Sequence, residues 1–310
     1  MMKIVFMGTP DFAVGALEAI IQAGHEITCV VTQPDKPKGR SKEMQFPPVK
    51  ECALKHNLPV FQPVKIKTPE AIETLKTYAA DIYVVAAFGQ ILSQEILDMP
   101  KYGCVNIHAS LLPKYRGSAP IQWAIIDGEK ETGVTIQQMN AGIDTGDILC
   151  TSVIPIAAKE TGASLFDKLS AVGAELIVEA LKQIEAGTLI PKPQDDSKAT
   201  HAKMLTKALG EIDWTQSAVV IERLIRGLNA WPSAYTILRG KTLKIWEADV
   251  IDSIQEQIPG TVVSVTKDAI VVQTGEGALQ LSNIQLEGKK RMTVKDFLLG
   301  YKVEVGEQLG

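Results

Sequence analysis

Cysteine and histidine are scarce in this chain, with four of each among 310 residues. Cys29, Cys52, Cys104 and Cys150 lie far apart, mostly inside apolar runs, and no two form a Cys-x-x-Cys pair. That excludes a disulfide framework and a zinc ribbon, and it points to buried, reduced thiols. His25, His56 and His201 read as structural or surface groups with no metal-ligand spacing, so no metal is expected. Long apolar runs are also missing: none reaches the ~18 residues of a membrane span, so a soluble chain with no membrane partner is expected. Residues 1–7 run directly into Gly8-Thr9-Pro10 and read as a first strand rather than a secretion signal, which makes the cytoplasm the default. An excess of positive charge is lacking too, with 32 Lys and Arg against 36 Asp and Glu and a net charge of −4. A nucleic-acid partner would have to be met by a local patch. Four motifs are absent: the dinucleotide fingerprint G-x-G-x-x-G, the phosphate loop G-x-x-x-x-G-K-[ST], the zinc-protease H-E-x-x-H and the nucleophile elbow G-x-S-x-G.

What is present is an ordinary globular composition, 45% hydrophobic and 22% charged, long enough for two domains. The first half alternates short apolar runs with helical patterns. Lys3–Met7 reads as a strand. Thr9 and Pro10 read as a cap and first helical residue before Phe12, Val14, Leu17, Ile20 and Ile21, and Gly24 closes the helix. Glu26–Val31, Ile82–Ala87 and Val105–His108 read as further strands. This α/β alternation predicts a Rossmann-like, mostly parallel sheet with helices on both faces, and functional loops beyond the strands' carboxyl ends. Gly8, Phe88-Gly89 and His108 all fall at such ends.

A long amphipathic helix is predicted over Ala163–Ile184, then a linker-like Pro191-Lys192-Pro193 stretch. After a helix over Gln216–Leu228 come short β-rich runs at Tyr235–Leu238, Thr242–Trp246, Gly260–Val265, Ile270–Gln273 and Ala278–Leu281. They predict an open β-barrel of oligonucleotide-binding type. The expected division is a catalytic domain over 1–189, a linker over 190–206 and a barrel domain over 207–310.

The most informative stretch is Asn106-Ile107-His108-Ala109-Ser110-Leu111-Leu112-Pro113, continuing to Gly117. Residues i and i+2 of a strand share a face, so Asn106 and His108 project together. A polar turn, Ile143-Asp144-Thr145-Gly146-Asp147, follows downstream. An amide and an imidazole can stabilise an oxyanion, and a carboxylate can orient the imidazole and move a proton. The spacing alone better fits a satisfied core histidine beside an edge asparagine, with Asp144 as a turn residue.

These blocks, together with Gly8-Thr9-Pro10-Asp11-Phe12-Ala13 and Gln33-Pro34-Asp35-Lys36-Pro37-Lys38-Gly39-Arg40, resemble the 10-formyltetrahydrofolate formyltransferase superfamily over nearly the whole chain. The resemblance implies a catalytic triplet of Asn106, His108 and Asp144. It implies a folate-binding segment Ser110, Leu111, Leu112, Pro113 and a loop Phe88, Gly89, Gln90, Ile91 along the pterin. The co-substrate would be 10-formyltetrahydrofolate, with no metal.

Within the superfamily the chain resembles the branch that formylates initiator methionyl-tRNA. Between Pro34 and Lys50 lie five basic residues, Lys36, Lys38, Arg40, Lys42 and Lys50, against Asp35 and Glu43. By resemblance, Lys36, Lys38, Arg40 and Lys42 would grip the tRNA, with Arg40 on the family's key arginine and Phe12 in the methionine pocket. A short charge run of this kind also fits a solvated surface loop. Rivals are a formyltransferase acting on a UDP-amino-sugar, one acting on glycinamide ribonucleotide, and a non-catalytic RNA-binding protein on the same scaffold. The C-terminal region from Lys207 holds twelve basic and thirteen acidic residues, so it is not a basic domain. Trp214, Trp231 and Trp246 there read as packing rather than base-stacking groups. A monomer is expected.

Overall fold

A computed structural model describes residues 1–38, 43–252 and 257–310. The first part of the chain forms β1 (Lys3–Gly8), α1 (Asp11–Gln22), β2 (Glu26–Val31), β3 (Lys36–Lys38), β4 (Glu43–Gln45), α2 (Pro48–Lys55), β5 (Val60–Phe61) and α3 (Pro69–Lys76). Next come β6 (Ile82–Ala86), α4 (Gln94–Leu97), β7 (Cys104–His108), β8 (Arg116–Gly117), α5 (Pro120–Ile126), β9 (Glu131–Gln138), β10 (Ile148–Pro155), α6 (Gly162–Ala186) and β11 (His201–Ala202). Seven strands form one sheet in the order β10-β9-β7-β6-β1-β2-β5. The pairs among β5, β2, β1, β6 and β7 are parallel, while β9 and β10 run antiparallel at the far edge. Every residue of β6 is buried, as expected for a parallel strand covered on both faces.

In this sheet β1, β2, β6 and β7 follow the predicted apolar runs closely, whereas the start of α1 needs a correction. Thr9 does not cap α1: Pro10 holds the cap position and no side chain closes it. The Thr9 hydroxyl instead donates to the Phe88 carbonyl at 3.0 Å. At the other end Gly24, at φ +81°, turns the chain out of the helix into β2.

The second sheet comprises β12 (Ala234–Leu238), β13 (Lys241–Ile251), β14 (Val262–Val265), β15 (Ile270–Gln273) and β16 (Ala278–Leu286), with β17 (Met292–Thr293) joined to β16. It is antiparallel, in the order β12-β13-β16-β15-β14. Helix α7 (Ala218–Gly227) buries Ile221 and Ile225 in the same core as Leu243, Ile245, Leu279 and Leu281. Trp214 is buried there and its ring N–H donates to the Thr236 hydroxyl at 3.0 Å. Trp231, by contrast, is 57% exposed. Helix α8 (Val294–Gly300) closes the unit through Val294 and Phe297.

The chain divides into two compact units: 1–120, 131–155 and 166–202 form the first, and 121–130, 156–165 and 203–310 the second. Among the described residues no helix is long and apolar enough to cross a membrane.

Candidate active site

Parallel pairing sets the carboxyl ends of β2, β1, β6 and β7 side by side, with Met7 against Val31, Gly8 against Ala86 and Val85 against Asn106. The loops leaving these ends are tied together. The Gln33 side-chain amide donates to the same Phe88 carbonyl as Thr9, at 3.2 Å, and the Gln33 backbone N–H donates to Thr9 Oγ1 at 3.4 Å.

Asn106 and His108 project from the last turn of pleat in β7, and both meet Asp144. Asn106 Nδ2 lies 3.4 Å and His108 Nδ1 3.5 Å from Asp144 Oδ1. His108 is 5% exposed, and its Nε2 lies 2.9 Å from the Tyr115 carbonyl. A carbonyl only accepts, so Nε2 carries a hydrogen. Asp144 is delivered by the turn between β9 and β10, where its own φ is +51°. Gly117 N–H donates to its Oδ2 at 2.8 Å, and Gln137 Nε2 donates to Oδ1 at 2.8 Å. The turn admits only glycine at 146, where a Cβ would stand 1.7 Å from the Gln138 carbonyl oxygen.

Behind this group lies a second tier that the motif reading passed over. Gln194 Nε2 donates to the backbone carbonyls of Asp144 and Gly146 at 2.9 and 2.6 Å. Arg116, 5% exposed, donates to Gln194 Oε1 through Nε and Nη2 at 3.0 and 2.8 Å and pairs with Asp196 at 2.7 Å. Arg116 sits inside the Asn106–Gly117 block, two residues after Lys114. Gln137 and Gln194 carried no signal beyond being polar.

The remaining candidates occupy the neighbourhood in different ways. The Ser110 hydroxyl donates to the Lys114 carbonyl, and Thr135 Oγ1 donates to the Ser110 carbonyl, both at 2.7 Å. Leu112 N–H donates back to Thr135 Oγ1 at 3.2 Å, so Ser110, Leu111, Leu112 and Pro113 form a turn fastened to β9. In the other loop Phe88 is buried, Gly89 has φ +83° and Ile91 is 59% exposed. Gln90 bridges outward, accepting from Ile66 N–H at 2.7 Å and donating to the Pro63 carbonyl at 3.0 Å. Phe12 is 6% exposed and packs edge-on against Phe166 at 5.6 Å.

Lys36 and Lys38 lie on the β3–β4 hairpin, paired with Gln45 and Glu43 in register. Arg40 and Lys42 lie outside the described residues. At the hairpin's base Lys50 pairs with Asp35 at 2.6 Å and sits 3.9 Å over the Phe46 ring, while Gln62 Nε2 donates to Asp35 Oδ1 at 2.8 Å. Among the described residues neither Phe12 nor Lys36 bonds to the Asn106–His108–Asp144 group.

Away from the crevice, Glu18, Cys52 and His56 place donor atoms within 4.8 Å of one another, close enough to share a metal ion. Cys52 and His56 are one helical turn apart, so His56 does stand at a metal-ligand spacing from a cysteine, contrary to the expectation from sequence. Their present bonds satisfy them: the Cys52 thiol donates to Glu18 Oε1 at 3.3 Å and His56 Nε2 lies 2.9 Å from Oε2. Burial, then Glu18, pushes the Cys52 thiol up to about 12.

Two family models match the chain, "Formyl transferase" over residues 2–181 and "Formyl transferase, C-terminal domain" over 204–302. A methionyl-tRNA formyltransferase of Agathobacter rectalis is 61% identical over 305 residues, 98% of each chain. One of Lachnospira eligens is 55% identical over the full length of both. Among solved structures, an N-formyltransferase from Helicobacter canadensis in complex with folinic acid and dTDP-3-aminofucose superposes with a TM-score of 0.68 at 20% identity, covering 94% of this chain and all of that one. HypX from Aquifex aeolicus in complex with tetrahydrofolic acid gives 0.63 at 18% identity over 99% of this chain, which spans half of that protein.

Proposed function

The chain belongs to the formyl transferase family, and from that premise we propose that it moves the formyl group of 10-formyltetrahydrofolate to the α-amino group of methionine on initiator methionyl-tRNA. The observation that carries the proposal is the meeting of Asn106 and His108 on one oxygen of Asp144, in a chain alike end to end to enzymes of that name.

The amine nitrogen attacks the formyl carbon, and the carbonyl electron pair moves onto oxygen. Asn106 and His108 stabilise that oxyanion. The 3.4 Å distance from Asn106 Nδ2 to Asp144 is long for a strong hydrogen bond, so its hydrogen remains available to an oxygen arriving beside it. Collapse restores the carbonyl and breaks its bond to N10 of the folate. Asp144, holding His108, relays the proton lost by the amine towards N10. No step calls for a metal. Ser110–Pro113 and Phe88–Ile91 flank the folate, Phe12 lines the methionine pocket, and Lys36, Lys38, Arg40 and Lys42 hold the tRNA acceptor end.

The test is transfer of labelled formyl from 10-formyltetrahydrofolate to charged initiator tRNA, run beside an amino-sugar nucleotide as acceptor. Labelled tRNA and unlabelled sugar is the expected outcome; the reverse overturns the tRNA reading. Raising salt should raise KM for tRNA and leave KM for folate alone, because phosphate contacts are screened and counterions rebind.

A further inference from the structure

We infer that Gln137 is a positioning residue for the transfer step, fixing the plane of the Asp144 carboxylate through its side-chain amide; this rests on the formyl-transfer reading above. Gln137 lies on β9 directly opposite Asn106 on β7, and it is 2% exposed. Residues paired across two strands share a face, so its side chain reaches the same crevice. The next residue, Gln138, points the other way and donates to the carbonyls of Tyr102 and Cys104.

The distances around Asp144 divide the work. Gln137 makes the short bond to Oδ1, at 2.8 Å, and Gly117 N–H the short bond to Oδ2, also at 2.8 Å. Asn106 and His108 make only the long contacts, at 3.4 and 3.5 Å. One short bond would leave the carboxylate free to swing about its own axis. Two, one on each oxygen, fix both its place and its rotation. Proton transfer depends steeply on such alignment.

The other end of the amide points to the same conclusion. Gln137 Oε1 is buried without a hydrogen-bond partner. An orphaned buried carbonyl costs stability. The amide cannot relieve this by flipping, because Oε1 would then face Asp144 Oδ1, acceptor against acceptor. A residue selected for stability alone would be apolar here.

Gln137→Met keeps the shape and removes the donor. It should lower kcat ~10-fold, as misalignment of a proton relay does, with KM for folate and tRNA unchanged. Its Tm should shift little, since the orphaned oxygen is removed together with the donor to Asp144 Oδ1, which keeps its contact from Asn106. Gln137→Glu, nearly isosteric, replaces the donor by an anion beside Asp144 and should lose more, ~100-fold. It also serves if the Met variant fails to fold. A Met variant with wild-type kcat while wild type is active overturns the inference and spares the formyl-transfer reading. So does a loss spread equally over kcat, KM and Tm, which is the mark of a merely structural role. Wild type inactive on every acceptor overturns both.

Discussion

Asp144 shows how little of a catalytic side chain's setting lies in its own motif. The carboxylate comes from a five-residue turn legible in the sequence, yet its partners come from β7, from β9 and from the backbone at Gly117. Asn106 and His108 were legible because the period of a strand alone puts them on one face. Gln137 was not, because choosing between it and Gln138 needs the register of β9 on β7, which no local pattern states. At this scale Asn106→Ala, His108→Ala and Asp144→Ala should each lower kcat at least ~100-fold with the far-UV spectrum unchanged, the usual cost of an oxyanion or relay group. Near-normal turnover in the His108 variant would remove it from the mechanism. Arg40 makes a different demand. If it holds a phosphate or base edge with its planar fork, Arg40→Lys should raise KM for tRNA and Arg40→Ala should raise it further, both with folate Kd unchanged. Equal losses for tRNA and folate would mean that Arg40 shapes the folate site instead.

At the scale of elements, the apolar runs marked β1 and β2 almost to the residue: β1 is buried from Ile4 onward with no polar interruption, and β2 is broken only by the half-buried Thr28. Strand β13 extends five residues beyond the Thr242–Trp246 run, since Glu247 and Asp249 alternate with buried Ala248 and break the apolar signal without breaking the strand. Thr9 misled for a related reason: a threonine before a helix reads as a cap until another loop supplies a carbonyl for its hydroxyl. The β9–β10 turn is the element most exposed to test. Gly146→Ala places a methyl against the Gln138 carbonyl, so the turn must shift and carry Asp144 with it. Activity should fall ~10-fold or more, with a stability loss of ~1–3 kcal/mol typical of overpacking. A fully active alanine variant would show that the turn tolerates displacement. The base of the β3–β4 hairpin carries a pH signature. Gln62, then Lys50, holds the Asp35 carboxyl below its usual range. A lowered folded-state value adds stability above the ordinary carboxylate pKa of ~4, and this is lost as pH falls through the folded value. The Tm gap between wild type and Asp35→Asn should therefore be open at pH 7 and close below ~4 in a melting series. A gap that persists in acid would mean that the charge is not what matters.

For the whole molecule, the division into units is less legible than the elements. The amphipathic pattern of α6 runs unbroken over 25 residues, so nothing in it marks that 162–165 group with one unit and 166–186 with the other. The thiols, read from the sequence as buried and reduced, give a global probe. Burial pushes Cys29, Cys52 and Cys104 up to about 12 and Cys150 to about 11. At pH 8 a thiol reagent should label the native chain slowly and all four cysteines at once in denaturant. Fast labelling of native Cys104 would contradict its burial.

The hydrogen bond from Gln194 to the Asp144 carbonyl spans fifty residues, and it gives synthesis of this protein a direction. A nascent chain that has emerged as far as β10 already owns all seven strands of its larger sheet, together with Asn106, His108 and Asp144. It does not yet own the residue that fastens the turn from behind. Formylating activity on a ribosome-stalled chain should therefore appear only after residue 194 has left the tunnel, later than the sheet that houses it.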